Sequence, residues 1–280
     1  MRSVAAAWLL ALSCVAAQTI KPGCLPPAPP LRDLWCPGEN NYTCYKIPSL
    51  LRVPTSGALL GFIEGRKYSC ADDGGHVDVL LKRSTDGGKT WSAASTVYSN
   101  STDAPRKEWH TIGDALPLWD AATSTVHLVF TRDNSDVFYT RSTDEGASWA
   151  PPRNVSAGVV VNVGRSGTCG MAQPNLAGTC FCGTGHASGL QLQSGRLLIP
   201  MYGCGRNKPF VLTSADHGAT WQVSGGIACA PNEWDFAPAT ASLGDSATLL
   251  ASIRAKGYGG LPSVRLQARL RQHPCCEFLK

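Results

Sequence analysis

One short stretch, met three times, constrains this chain more than anything else in it. "STDGGKTW" at 84–91 returns as "STDEGASW" at 142–149 and as "SADHGATW" at 214–221. Each copy reads Ser-x-Asp-x-Gly-x-Ser/Thr-Trp. An Asp followed two residues later by Gly is turn chemistry: the carboxylate accepts nearby backbone N–H groups, and Gly tolerates a positive φ. The tryptophan three residues on supplies a large apolar anchor at the start of the next segment. Nothing in the stretch offers a nucleophile, a base or a set of metal ligands. It is a brace that a repeating fold needs once per unit.

The surroundings of each brace repeat as well. Two apolar, β-branched segments precede it: 57–66 and 76–84 before the first, 123–133 and 135–142 before the second, 194–203 and 208–214 before the third. A fourth pair, 246–255 and 262–270, is followed by no brace. Short strands separated by Gly, Asp and Asn turns indicate antiparallel β-structure throughout. The braces are spaced by 58 and 72 residues, which suits one four-stranded sheet per unit, the blade of a β-propeller. Such a sheet cannot bury both faces alone, so neighbouring sheets must stack against it.

The first 17 residues, "MRSVAAAWLLALSCVAA", combine Arg2, an apolar run and a small-residue end, and read as a secretory signal peptide cleaved near Ala17. The run is shorter than the ~20 residues that span a bilayer, and no later segment is apolar enough to do so. Residues 18–44 are rich in Pro and Cys and read as an extended, disulfide-pinned lead-in. Of 12 cysteines, 11 remain after the signal. Secretion, together with Asn-x-Ser/Thr sites at Asn41, Asn100 and Asn154, favours disulfides with one thiol left over. Cys180-Phe-Cys182 has no second Cys/His pair at zinc-like spacing, so disulfide pairing is expected there too. The net charge of +5 comes from Arg2 and from the tail after Arg254; the stretch 18–254 is neutral. A basic surface for nucleic acid is therefore not expected.

The braces, with "YKIPSLLRV" at 45–53 and "LLGFIEGRKYSCADDGG" at 59–75, resemble the sialidase (neuraminidase) family of glycoside hydrolases, in which they are known as Asp-boxes. The resemblance covers about residues 42–260 and implies an all-β, six-bladed propeller. Six blades of about 60 residues need about 360 residues, whereas 236 follow Cys44. About four blades are expected, in an incomplete propeller over 45–260, with 261–280 as an atypical basic tail.

Sialidase chemistry gives the matching residues roles. The substrate is a glycoside of sialic acid, and its carboxylate is held by an arginine cluster, because guanidinium makes two parallel charged hydrogen bonds. The nucleophile is a tyrosine, an exception among glycosidases, and an Asp protonates the leaving oxygen. No metal or cofactor is implied. Lys46 stands where the family places its first arginine, keeping the charge without the planar fork. Glu64 and Arg66 match the family's Glu-x-Arg and are expected at the sugar. The acid/base is Asp73 or Asp72: Asp72 lies six residues after Arg66, while Asp73 fits better when counted back from 76–84. Asp114, in "IGDALPLWD", is a candidate for sugar hydroxyls. The glycine-rich 183–200 is expected to line the pocket by backbone, with His186 as a loop residue. Glu233 would activate the nucleophile and Arg254 would be the second arginine. The third arginine and the Tyr would lie after Lys280.

Three functions compete on these residues. The first is a secreted or lysosomal exo-α-sialidase acting on sialylated glycoconjugates. The second is an inactive propeller that binds sialoglycans, which Lys46 favours. The third is an Asp-box protein unrelated to sialic acid, against which the Glu-x-Arg and Asp-loop series argues.

Overall fold

A computed structural model of the chain describes residues 33–70, 75–101, 109–160, 180–206, 209–226, 234–238, 244, 248–253, 264–269 and 277–278. The chain divides into two units, Met1–Trp35 and Cys36–Lys280. Among the described residues all the strands lie in the second, and the description below is of it alone.

Strand formation follows the apolar, β-branched segments closely. The first sheet comprises β1 (Cys44–Arg52), β2 (Leu59–Arg66), β3 (Val77–Ser84) and β4 (Ser95–Tyr98). The second comprises β5 (Ile112–Asp120), β6 (Thr125–Arg132), β7 (Asp136–Ser142) and β8 (Arg153–Asn154). In the third, β9 (Cys182–Thr184) and β10 (Leu190–Gln191) both pair with β11 (Leu197–Gly203), followed by β12 (Phe210–Ser214) and β13 (Gln222–Gly226). The fourth holds β14 (Trp234–Pro238), β15 (Thr248–Ile253), β16 (Val264–Arg269) and β17 (Glu277–Phe278). Every ladder is antiparallel and each sheet is a meander in chain order. The four sheets match the expected blade count. The strand pattern also continues past 260, since the fourth sheet draws β16 and β17 from the segment read as a basic tail.

Stacking of these sheets buries both faces. The first core cluster joins Leu60, Phe62 and Leu81 of the first sheet to Ile112, Leu128 and Phe130 of the second. The second cluster joins Leu116, Leu118 and Val129 to Leu197, Ile199 and Leu212 of the third. The third joins Leu198 and Tyr202 to Trp234 and Phe236 of the fourth. Hence β5 and β11 are buried at every position, the near-continuous apolar reading of a sheet covered on both sides. The outermost β8 is exposed.

The recurring brace is the turn between the third and fourth strands of each of the first three sheets. In the first, Ser84 Oγ donates to Asp86 Oδ1 (2.8 Å) and accepts from Gly88 N (2.9 Å), while Thr90 N and Oγ1 donate to the Asp86 carboxylate. The same set recurs at Ser142, Asp144, Gly146 and Ser148, and again at Ser214, Asp216, Gly218 and Thr220. The box glycines take φ of 88°, 81° and 80°, a region costly for any residue with a Cβ. Although partial burial works the other way, the Ser148 and Thr220 bonds hold the Asp144 and Asp216 carboxyls down to about 2.

The second and third boxes also grip the sheet before them. Trp149 meets the Phe62 ring edge-on at 5.8 Å, and Trp221 packs on Tyr139 at 5.5 Å. Arg83 Nε donates to Glu145 O, and Arg153 Nη2 to Ala219 O. Asp144→Ala removes three side-chain acceptor contacts, and we expect it to lower unfolding free energy by about 1–2 kcal/mol. A urea titration checks this; an unchanged midpoint would contradict the bracing role.

Candidate active site

The register places the boxes at one end of the sheets and the chemistry-bearing residues at the other. Arg66 pairs with Val77 at the start of β3, whereas Leu59 pairs with Ser84, where the first box begins. In the second sheet Ile112 pairs with Arg132 and Arg132 with Asp136, while Val126 lies opposite Ser142, where the second box begins. In the third, Thr184 and Met201 lie at the Phe210 end, and Leu197 meets Ser214.

At the end away from the boxes, β1 and β5 carry the same irregularity. Between Lys46 and Ser49, and again between Gly113 and Leu116, the edge strand has one residue more than its partner. These are β-bulges, which re-aim side chains and free backbone groups from the ladder. Ile47 takes φ 52° and Asp114 φ 51° in them. A β-branched residue there is strained, held by its surroundings.

The groups freed at the second bulge find partners on neighbouring sheets, as buried backbone must. Asp114 N donates to Glu64 Oε1 at 3.0 Å. The Asp114 carbonyl accepts from Thr184 Oγ1 of the third sheet, and the Ala115 carbonyl from Ser49 Oγ of the first at 2.7 Å. Gly113 makes this approach possible: a Cβ there would stand 2.3 Å from Glu64 Oε1. The bulge thus locks three sheets together around one carboxylate.

Glu64 and Arg66 are each only 3% exposed. Both lie on the same face of β2, two residues apart. Arg66 Nη2 donates to Glu64 Oε2 at 2.6 Å, its Nε to the same oxygen at 3.1 Å, and its Nη1 lies 3.4 Å from Cys70 O. Burial pushes the Glu64 carboxyl up, and the Arg66 charge, the Asp114 N–H and His186 pull against that rise. Lys46 stands directly across the ladder from Glu64. The loop 185–189 interrupts the inner edge of the third sheet, and from it His186 N donates to Asp235 Oδ1 at 3.0 Å and Ala187 N to the same oxygen at 3.2 Å.

Lys46, Glu64, Arg66 and Asp114, chosen from the sequence, are therefore brought to one end of adjoining strands. Asp72, Asp73, Glu233 and Arg254 lie outside the described residues. His186 lies in the loop between β9 and β10, and its charge acts on the Glu64 carboxyl. The sequence reading passed over Asp235, two residues from Glu233; the one available signal was a glycine-rich loop in need of an acceptor for its N–H groups. Two disulfides, Cys44–Cys70 and Cys182–Cys204, hold β1 to the segment after Arg66 and β9 to the end of β11. Cys180 is also disulfide-bonded, and Cys36 is a free thiol among the described residues. This pairing is consistent with folding in the secretory pathway.

Comparison with known proteins decides the family. Residues 57–260 match the model of the BNR repeat-like domain. Human Sialidase-4 is 31% identical over 228 residues, covering 71% of this chain and 43% of that protein. The chain belongs to the sialidase family. Mouse Sialidase-2 is 25% identical over 248 residues, covering 80% of this chain and 60% of its own length. Among solved structures, the Hadza microbial sialidase Hz136 aligns with a TM-score of 0.67 at 20% identity, over 87% of this chain and 48% of that one. The fold is therefore that of the sialidase propellers. The chain spans between about 43% and 60% of the length of these relatives. Among the described residues no helix is long and apolar enough to cross a membrane.

Proposed function

We propose that this protein acts as an exo-α-sialidase, releasing terminal sialic acids from glycoproteins, glycolipids or oligosaccharides with retention of configuration. The observation that carries the reading is the buried Glu64–Arg66 pair, clamped by the Asp114 N–H at the end of the sheets away from the boxes. Lys46, Arg66 and Arg254 would grip the substrate carboxylate, with Glu64 fixing the plane of the Arg66 fork. Asp114 would meet sugar hydroxyls, and Asp73 or Asp72 would protonate the leaving oxygen. Glu233 would activate the tyrosine nucleophile that the family uses. The boxes would take no chemical part. An N-terminal signal would route the protein outside the cell or to the lysosome.

Incubation with a fluorogenic α-sialoside tests the activity directly, with release of the fluorophore as the expected result. A second reading, a propeller that binds sialoglycans without cleaving them, is favoured by Lys46 in the place of an arginine. Binding on a glycan array without turnover would select it, and neither binding nor turnover would reject both. In either case Lys46→Arg restores a planar, two-bond donor. A charged hydrogen bond is worth about 1.5–3 kcal/mol, so sialic acid affinity should rise about 10- to 100-fold. Unchanged affinity by titration calorimetry would remove Lys46 from the carboxylate clamp.

A further inference from the structure

Of the three Asn-x-Ser/Thr sequences, Asn154-Val155-Ser156 is the one whose asparagine lies within a strand. That strand, β8, is the last of the second sheet and pairs with β7 alone, through Phe138–Asn154 and Tyr139–Arg153. Both of its residues are exposed, so one side of its backbone has no ladder. An open edge of this kind is a template for pairing with another chain, and soluble proteins keep such edges blunted or covered.

The two residues of β8 face opposite ways, as neighbours in a strand must. Arg153 is taken up by the third sheet: its guanidinium lies 4.8 Å from the Tyr139 ring centre and donates to Gly218 O and Ala219 O. Asn154 is turned away from that contact. Its side-chain carbonyl accepts from Ser156 N at 2.8 Å, an Asx turn closed within three residues. Its amide nitrogen has no hydrogen-bond partner among the described residues. The chain that follows is anchored. Val155 N donates to Val137 O at 2.8 Å, Ser156 Oγ accepts from Val137 N at 2.9 Å, and Arg206 Nε donates to Val159 O at 3.1 Å. A fixed backbone therefore presents an exposed asparagine amide at the rim of the sheet.

The other two sequences are placed differently. Asn100 is half-buried, and its carbonyl holds the Tyr98 hydroxyl at 2.8 Å. Asn41 precedes Tyr42, whose ring is buried and whose hydroxyl is bonded to Asp78.

We propose that Asn154 carries an N-linked glycan, and that this glycan shields the open edge of the second sheet. The co-reactant is an oligosaccharide on a lipid pyrophosphate. The Asn154 amide nitrogen bonds to the anomeric carbon of its first sugar, the lipid pyrophosphate leaves with the electron pair of the broken C–O bond, and the amide releases one proton to the transferase. The three-residue turn needs nothing from the rest of the fold, so the acceptor forms while the chain is still being made. In the folded protein the sugars stand in water beside β8. The modification presupposes the secretory route and does not depend on the sialidase reading.

Peptide mapping of the full chain, secreted from a eukaryotic host, tests the site. Trypsin cuts after Arg141 and Arg165, so Asn154 is read apart from Asn41 and Asn100. After trimming by an endoglycosidase that leaves the first sugar, the peptide holding Asn154 should carry one N-acetylhexosamine, and Asn154→Gln should abolish that mass shift. Light scattering tests the shield. Asn154→Gln should raise the aggregated fraction several-fold at an unchanged melting temperature, and Asn154→Lys, a charge in place of the sugars, should bring it back down. An unmodified peptide, whether or not Asn41 or Asn100 is modified in the same sample, would overturn the site. A modified peptide with equal scattering from Asn154→Gln would overturn the shield.

Discussion

Glu64→Leu should cost about 3–5 kcal/mol of stability, the usual consequence of removing one partner of a buried ion pair. The reason lies in what stays behind. Arg66 is 3% exposed, and two of its guanidinium nitrogens donate to Glu64 Oε2. Without that oxygen the charge is buried with its strongest acceptor gone. The double change Glu64→Leu with Arg66→Met should recover much of the loss, because well-packed apolar residues of similar volume often replace a buried pair at little cost. Recovery should stop short by about 1–3 kcal/mol, since the buried Asp114 N–H also loses its acceptor. Sialoside binding should vanish in both variants. Urea unfolding, with calorimetric binding on the double variant, separates the two roles. A double variant that still binds would show that the pair only builds the fold, and a single variant of unchanged stability would show that it does not.

The parts of this molecule legible from its sequence are those whose chemistry closes locally. A box is complete within eight residues: Ser84, Asp86, Gly88 and Thr90 satisfy one another, so the pattern is readable wherever it occurs. Strand positions were equally plain, since the inner strands of the first three sheets are mostly apolar and buried. Glu64 and Arg66 were legible because they share one strand face at a spacing of two. What escaped is long-range. The bulge at Asp114 is set by acceptors and donors 50 and 70 residues away in the chain. Asp235 is defined by N–H groups 48 and 49 residues before it. The box tryptophans were read as anchors for their own strands, yet Trp149 and Trp221 pack on the preceding sheet. His217 looked like a variable box position, and its Nδ1 in fact lies 2.7 Å from Asp120 of the second sheet. None of these partners can be chosen until the sheets are stacked.

That last contact leads to a pH dependence of folding. Asp120, at the end of β5 nearest the boxes, is fully buried and accepts from Gln191, Thr123 and Ala122 as well as pairing with His217. Burial opposes its ionisation, but these bonds hold its carboxyl down to about 2. His127 Nε2 lies 3.5 Å from Asp120, and its Nδ1 lies 2.8 Å from the Tyr139 hydroxyl. Burial pushes the His127 imidazole down to about 4, with Arg141 and His217 adding to the fall and Asp120 opposing it. The ring is therefore neutral in the folded protein, where the unfolded chain would protonate near pH 6.5. Between pH 6.5 and 4 the unfolded state binds the extra proton, so stability is present above that window and drains away as pH falls through it. The loss amounts to about 3 kcal/mol over the whole window, and about 2 kcal/mol by pH 5. Asp120 adds a further loss only between about pH 3.8 and 2, in the same direction. His127→Gln keeps a polar partner for Tyr139 and does not titrate. Urea unfolding at pH 7, 6, 5 and 4.5 should show a steep decline in the unmodified protein and a much flatter one in this variant. Parallel profiles would acquit His127.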